Sequence, residues 1–135
     1  MTKDCIFCAI IEGEIPSYKV YEDDLFIAIL DRFPKCGGHL LIIPKTHAAT
    51  ILDLPENEAV SIMPLAKKLA AKLKSITQYE GLNILQNNGE AAGQTVNHLH
   101  VHLIPRFKPD NMQLFWEHID PSPEEFAEMV EKLQG

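Results

Sequence analysis

The sequence predicts an α+β fold in which about five strands form a mainly antiparallel sheet. Three observations predict it. Five short apolar runs have the length of strands, a single long stretch has the apolar spacing of an amphipathic helix, and the elements follow one another as three strands, a helix, two strands and a helix. Because 135 residues is the length of one domain, we expect a single domain over residues 1–135, with a C-terminal tail at about 106–135.

The first half of the chain supplies three of the strands. Residues 5–12 have the pattern of a short helix, with apolar side chains near one side. The β-prone runs 18–21 and 25–30 flank three consecutive acidic residues, which predicts a hairpin. Residues 31–38 contain Pro34 and two glycines and therefore predict a loop. Residues 39–43 form the third predicted strand, which ends before Pro44.

The long helix is predicted at about 55–77. Asp53 is the expected N-cap, with Glu56 three residues later. Pro64 lies inside the pattern, so it should kink the helix or mark its true beginning. The apolar stripe expected to face the core consists of residues spaced by three and four, namely Ala59, Ile62, Ala66, Leu69, Leu73 and Ile76.

The second half predicts two more strands and a terminal helix. Residues 81–86 form the fourth strand, and residues 88–93 form a loop that contains glycine. Residues 97–105 form the fifth strand, and residues 121–133 form a C-terminal helix.

Composition excludes several classes of function. The net charge is −7, with 12 basic residues against 19 acidic ones, which disfavours extended nucleic acid as a partner. The longest apolar stretch outside the N-terminal segment, residues 25–30, is far shorter than a membrane span, so no membrane partner is expected. The N-terminus lacks a cationic lead before its apolar run. Three cysteines cannot all pair within one chain, so we expect a cytoplasmic protein rather than a secreted disulfide scaffold.

Three histidines alternate with apolar residues in the fifth predicted strand. Strand side chains point to opposite faces in turn, so Leu99, Val101 and Leu103 should face the core. His98, His100 and His102 should share the other face, about 6.6 Å apart from each to the next. A polar outer face rarely uses histidine in this way. The pattern favours a metal site, a nucleophile with proton-transfer partners, or both.

Residues 98–104, His-Leu-His-Val-His-Leu-Ile, match at every position the signature of the histidine triad (HIT) superfamily, which the chain resembles. The resemblance extends to the Hint branch and its bacterial zinc-containing members through residues 5–11, 14–16, 21–24, 39–47 and 87–95. It implies a HIT-like fold with one long helix and short N- and C-terminal helices. It also implies a homodimer and nucleotidyl hydrolase or transferase chemistry at an α-phosphate, through a covalent nucleotidyl-histidine intermediate.

The resemblance also assigns roles to individual residues. His100 is the expected nucleophile, His102 is expected to contact the phosphate or leaving group, and His39 is expected to join their hydrogen-bond network. Asp31 is expected to accept from ribose hydroxyls. The remaining expected nucleotide contacts are the phosphate-binding residues Asn87, Gly93, Gln94 and Thr95 and the base-pocket residues Ile6, Phe7 and Ile10.

Cys5 and Cys8 have the spacing of half a metal site, and the same spacing occurs in redox pairs. A thioredoxin-like pair opens a helix after a strand, and four residues before Cys5 leave little room for one. The resemblance implies that His47 and His98 complete a structural zinc site, with one ion per chain. Four protein ligands would close that site.

These expectations lead to one main hypothesis, a hydrolase of purine nucleoside phosphoramidates or related nucleotidyl substrates that releases a nucleoside monophosphate. The alternatives are a dinucleoside polyphosphate hydrolase and a non-catalytic nucleotide-binding regulatory protein. In each case the partner is a small purine nucleotide. Cys36, Trp116 and His118 are left without a role.

Overall fold

The computed structural model describes residues 4–114 and 117–135, and Trp116 lies outside them. The strands are β1 (Lys19–Glu22), β2 (Phe26–Leu30), β3 (Leu40–Pro44), β4 (Gly81–Gln86) and β5 (Val101–Arg106). The helices are α1 (Ile6–Ile11), α2 (Glu56–Thr77) and α3 (Pro123–Gln134), and a single 3₁₀ turn (Glu90–Ala92) lies in the loop before β5. None of the helices in the described ranges combines the length and apolar character of a membrane span.

The five strands form one sheet in the order β1-β2-β3-β5-β4, and every neighbouring pair is antiparallel. The predicted α+β class is therefore confirmed. The crossover places β5 between β3 and β4. His102 consequently lies opposite Leu41 on one side and opposite Leu85 on the other.

Each face of the sheet carries its own cluster of buried residues. Helix α2 covers one face, where Leu69 and Leu73 belong to the same buried cluster as Leu103. Helix α1 covers the opposite face, where Phe7 and Cys8 join β2 and β3 side chains such as Ile27 and Leu41. Phe7 also packs on the rings of His98 and His100, so the N-terminal segment covers the histidines that precede β5.

Helix α2 has the predicted bounds, but its N-cap and one residue of its predicted core stripe differ from the prediction. Pro55, not Asp53, occupies the N-cap position and makes no side-chain cap hydrogen bond. The Asp53 carboxylate instead accepts from the backbone N–H and the hydroxyl of Thr50, in the turn before the helix. Pro64 lies inside the continuous helix and does not mark its beginning. Ile76, which the apolar stripe predicts to face the core, is instead 72% exposed near the C-terminal end of α2.

Strand β5 begins at Val101, four residues later than predicted. The backbone bends at residues 96–98 before it joins the sheet. The N–H of Leu99 donates to Ala48 O and not to a neighbouring strand, which explains the late start. The predicted division of faces nevertheless holds for the apolar residues, because Leu99, Val101 and Leu103 are all buried on the α2 side.

Candidate active site and metal centre

The four predicted metal ligands lie together where α1, the loop after β3 and the approach to β5 meet. Nδ1 of His98 lies 3.2 Å from the Cys5 sulfur and 3.6 Å from the Cys8 sulfur. Nδ1 of His47 lies 3.3 Å from the Cys8 sulfur and 3.1 Å from Nδ1 of His98. Cys5, Cys8 and His98 are buried and His47 is half-buried.

These distances, 3.1–3.6 Å, are close to the edges of a zinc tetrahedron. Bond lengths near 2.3 Å to sulfur and 2.0–2.1 Å to nitrogen give ligand–ligand edges of about 3.3–3.8 Å, so binding an ion would need the donor atoms to move apart by only a few tenths of an ångström. Nε2 of His98 lies 2.8 Å from the carbonyl oxygen of Pro44, which can only accept. The ring proton of neutral His98 is therefore on Nε2, so that the Nδ1 lone pair is directed at the cluster. The donor set, the distances and this tautomer all suit zinc.

His100 is oriented by the backbone that precedes β5. Its Nδ1 lies 2.8 Å from the carbonyl oxygen of His98 and must donate to it. Nε2 of neutral His100 is therefore left with a lone pair. Phe7 packs its ring edge-on against His100, with centroids 5.0 Å apart, and against His98 at 5.9 Å. Phe7 thus fixes the imidazole rings, in addition to any contact it makes with a base.

A chain of hydrogen bonds sets the tautomers of His39 and His102. The backbone N–H of Lys35 donates to Nδ1 of His39 at 3.0 Å, so the proton of neutral His39 is on Nε2. That nitrogen lies 2.9 Å from Nδ1 of His102, to which it donates. His102 must then hold its own proton on Nε2. The carboxylate of Asp31 lies beside this chain, 3.4 Å from Nε2 of His39 and 4.0 Å from Nδ1 of His102.

Burial keeps these imidazoles neutral. It lowers the pKa of His39 and His100 below the ordinary 6.5, although the Asp31 carboxylate opposes the shift in both. Burial, with His100 and His39 close by, lowers the pKa of His102 to about 4. A neutral ring is what a nucleophile needs, because protonation would occupy its lone pair.

Asp31, His39 and His102 each have a possible ligand atom within 4.8 Å of the others, so they could also share a metal ion. The tautomer of His39 argues against such a site. Because Nδ1 of His39 accepts from the Lys35 N–H, the ring proton is on Nε2, and a metal at Nε2 would have to displace it. The group is therefore a hydrogen-bond network, with the second oxygen of Asp31 accepting from the N–H of Phe33 at 3.0 Å.

The predicted phosphate-binding residues line the loop between β4 and β5. Gly93 has a φ of 93°, a conformation that only glycine adopts without strain. The side-chain amide nitrogen of Asn87 lies 3.5 Å from the carbonyl oxygen of Gly93. The Gln94 side chain is fully engaged inside the loop, accepting from the Gly89 N–H and donating to two carbonyl oxygens. Gln94 can therefore contact a ligand through its backbone but not through its amide group.

The remaining predicted residues lie at the edge of the site. Thr95 is exposed and lines a surface cavity together with Ile6, which is 48% exposed. Ile10 packs, half-buried, against the cluster that covers the second face of the sheet. Ile6 and Ile10 lie one turn apart on the same side of α1 and present apolar surface next to the buried Phe7.

Residues 12–109 of the chain match the sequence model of the HIT domain family. The chain belongs to the HIT domain family. The adenosine 5'-monophosphoramidase of Saccharomyces cerevisiae is 49% identical over 102 residues, which are 76% of this chain and 62% of that protein. The corresponding Schizosaccharomyces pombe enzyme is 39% identical over 132 residues, which are 97% of this chain and 96% of that protein.

Solved structures match nearly the whole length of the chain. A Streptococcus mutans protein superposes with a TM-score of 0.93 at 40% identity, covering 99% of this chain and 85% of that one. A zinc-bound histidine triad family protein from Mycobacterium smegmatis gives a TM-score of 0.77 at 35% identity, covering 96% of this chain and 91% of that one.

Two groups that shape this HIT site were absent from the residues predicted from the sequence. The Lys35 N–H fixes the tautomer of His39, and the Pro44 carbonyl fixes that of His98. Both are backbone groups. Every residue has a carbonyl and every residue except proline has an N–H, so the type of residue does not indicate which of them will orient a histidine. A third omission is the buried Glu58, which accepts from the hydroxyl of Thr46 beside the predicted ligand His47.

Proposed function

We propose that this HIT protein is a nucleotidyl hydrolase that cleaves purine nucleoside phosphoramidates at the α-phosphate and releases a nucleoside monophosphate. The observation that carries the proposal is the pair of opposite tautomers at His100 and His102. His100 offers a lone pair on Nε2, while His102 offers an N–H on the same ring position. The adenosine 5'-monophosphoramidases among the relatives support this substrate class.

In the first step, Nε2 of His100 attacks the α-phosphorus. A phosphorus–nitrogen bond to the enzyme forms, the bond to the leaving amine breaks with its electron pair, and the amine takes a proton from solvent. The ring of His100 becomes positively charged, and the His98 carbonyl that accepts from its Nδ1–H stabilises that charge. The Nε2–H of His102 donates to the phosphate or the leaving group.

In the second step, water attacks the same phosphorus. The bond to His100 breaks, its electron pair returns to Nε2, and the water proton leaves to solvent. The nucleoside monophosphate departs and His100 is neutral again. The Nδ1–H bond to His98 persists throughout, so the ring has the same orientation in both steps.

The nucleotide is held by groups around these histidines. Asp31 accepts from the ribose hydroxyls, and the backbone of Gly93 and Gln94 with the Thr95 hydroxyl donates to the phosphate. Asn87 supports the same loop through its contact with Gly93. Ile6 and Ile10 supply the apolar surface that the base covers, and Phe7 backs it.

We assign a structural zinc ion to Cys5, Cys8, His47 and His98. The fit of the four donor atoms supports the assignment, and the zinc-bound Mycobacterium relative is consistent with it. With four protein ligands the ion would have no open position for water or substrate. Its contribution is to hold α1, the loop after β3 and His98 together.

A cytoplasmic homodimer completes the proposal. A reducing compartment keeps Cys5 and Cys8 as thiols that can bind a metal. The sheet ends at β4, an edge strand whose outer backbone groups can pair with a second copy.

The experiment that tests the chemistry is a rapid quench of the protein with adenosine phosphoramidate labelled on its α-phosphate. We expect acid-labile label on the protein and turnover to AMP, both lost in His100→Ala. His118→Ala is the matched control, since the exposed His118 has no role in the proposed site. Equal turnover by His100→Ala and the parent would refute the mechanism.

The substrate class is tested by comparing kcat/KM for an AMP amidate with that for a dinucleoside tetraphosphate. We expect the amidate to be preferred. A preference for the tetraphosphate would identify a dinucleoside polyphosphate hydrolase, and tight nucleotide binding without turnover of either substrate would identify a regulatory binding protein.

A further inference from the structure

The C-terminal helix α3 has an apolar face without a partner among the described residues. None of its twelve residues is buried. Phe126, Met129, Val130 and Leu133 follow helical spacing along one side and are 50–78% exposed. An amphipathic helix normally buries such a stripe against another element.

Helix α3 is nevertheless well formed. Ser122 caps it, accepting from the Glu125 N–H while the Glu125 side chain accepts from the Ser122 N–H, and Lys132 pairs with Glu128 one turn earlier. Caps and pairs of this kind contribute little each, and isolated helices shorter than about 12–15 residues are marginal in water. A surface that covers the stripe would supply the missing stabilisation.

The body of the protein offers one matching surface, which we call the α2 groove. It is a cavity of about 420 Å³ lined mainly by apolar side chains of α2 and of the strands beside it, including Val20, Leu30, Leu40, Leu69, Leu73 and Ile76. Val20 is 50% exposed and Ile76 is 72% exposed, so apolar area is open to a partner.

The stripe and the groove match in length. Phe126 to Leu133 spans seven residue steps, as does Leu69 to Ile76 along α2. At a rise of 1.5 Å per residue each is about 10 Å long.

The stripe and the groove also match in charge. Helix α3 has four glutamates, at 124, 125, 128 and 131, against a single lysine. Helix α2 has Lys72 in the wall of the groove, and Lys68 lies one turn earlier over the Tyr21 ring of β1. No described carboxylate lies within ion-pair distance of these two lysines. An acidic amphipathic helix is therefore the kind of partner that the groove fits.

We infer that α3 of one copy of this chain docks in the α2 groove of a second copy. Within its own chain α3 lies clear of the groove with every residue exposed. The superposition on the Streptococcus mutans structure covers 99% of the chain and so includes the region of this helix. Helix α3 thus lies in a region that superposes in both proteins, and its apolar face is open in this chain. We take this to indicate that another molecule covers the apolar face. The inference is independent of the proposed hydrolase activity.

Cysteine cross-linking between two different chains tests the docking. In a Cys36→Ser background, one chain carries Ile76→Cys and the other carries Val130→Cys. We expect a disulfide-linked heterodimer on mixing and mild oxidation. The matched control replaces Val130→Cys by Glu128→Cys, which lies on the opposite side of the same helix and should lose the cross-link.

The other outcomes overturn the inference. If a chain that carries both Ile76→Cys and Val130→Cys forms the disulfide only within itself, that result would show that α3 docks within its own molecule. Absence of any cross-link, or equal cross-linking by the Glu128→Cys control, would show that the groove does not receive the stripe.

Hydrogen–deuterium exchange of the unmodified protein gives an independent test. Docking between copies predicts that protection of α3 amides increases with protein concentration, and that Val130→Glu abolishes it while Glu128→Gln does not. Protection that is independent of concentration, or absent at every concentration, contradicts docking between copies.

Discussion

His39 illustrates how a single residue depends on its backbone surroundings. Its position as the fourth histidine of the site follows from the sequence, but its tautomer follows from the Lys35 N–H that donates to Nδ1. That tautomer then decides which nitrogen of His102 carries a proton. Imidazole chemistry is therefore set by two hydrogen bonds that residue types alone do not reveal.

The lowered pKa values of His100 and His102 predict the pH dependence of the reaction. Protonation of His100 removes the lone pair that attacks phosphorus, and burial lowers its pKa below 6.5. We therefore expect kcat/KM for adenosine phosphoramidate to stay constant from pH 8 to below 6.5 and to fall only in more acidic solution. An acid limb with its midpoint at 6.5 or above would contradict this.

The same shifts require a stability control. These histidines accept protons more readily in the unfolded chain than in the folded one, so stability falls as the pH decreases from about 6.5 towards the lower folded-state pKa values. Circular dichroism across the titrated range separates loss of activity from loss of fold. The kinetic midpoint is meaningful only where the signal of the folded protein is constant.

The buried side chain of Glu58 predicts a stability effect next to the proposed metal site. It is 5% exposed, one of its oxygens accepts from the Thr46 hydroxyl at 3.0 Å, and the other has no partner among the described residues. Thr46→Val removes that donor and leaves the buried carboxylate unsatisfied. We expect a loss of about 1–3 kcal/mol in the free energy of unfolding, measured by urea denaturation.

The control for Thr46→Val is Ser75→Ala, which also removes a hydroxyl that forms one hydrogen bond but lies on the exposed side of α2. It should change the free energy by less than about 0.5 kcal/mol. Equal losses in the two variants would mean that the Thr46–Glu58 hydrogen bond contributes no more to the free energy of unfolding than an exposed hydrogen bond does.

At the scale of elements, β5 shows where periodicity stops being informative. The alternation of apolar and polar residues from 97 to 105 predicts one long strand, yet pairing begins at Val101. Extended backbone alternates its side chains whether or not it is paired, so the pattern cannot locate the first ladder hydrogen bond. The side of the sheet assigned to each apolar residue was still predicted correctly, because that assignment needs only the alternation.

Helix α2 predicts an element-scale substitution. Pro64 lies on its exposed side in the helix interior, where it removes one backbone hydrogen bond and crowds the preceding turn. Pro64→Ala should stabilise the protein by about 1–3 kcal/mol, after allowance for the greater freedom of the unfolded chain. Urea denaturation measures the gain. Ser61→Ala, one turn earlier, is the control and should change stability far less, and a destabilising Pro64→Ala would show that the proline has a packing role.

At the scale of the whole molecule, the proposed zinc site joins three parts of the chain that are distant in sequence. Elemental analysis should find about one zinc ion per chain, because the four ligands of one chain complete one tetrahedral site. The double substitution Cys5→Ser/Cys8→Ser should lose the metal and lower Tm, because binding free energy in such a site contributes to folding. Activity should fall as well, since His98 and the His100 that bonds to it lose their anchor.

Cys36→Ser is the matched control for that double variant. The Cys36 thiol donates to the Pro105 carbonyl, neither residue belongs to the proposed metal cluster, and a hydroxyl can replace the thiol as donor. It should retain zinc and stability. Metal-free parent protein with an unchanged Tm would rule out a structural role for the ion.

The sequence by itself determined the α+β class, the order of the elements and the residue types of the candidate site. Each of these follows from local periodicity or from a contiguous motif such as residues 98–104. The tertiary structure alone decided the distances between the donor atoms of Cys5, Cys8, His47 and His98, the tautomer of each histidine in the site, and the open apolar face of α3. Those features depend on distances between atoms far apart along the chain and on backbone groups identical in nearly every residue, and neither is recorded in the order of side chains.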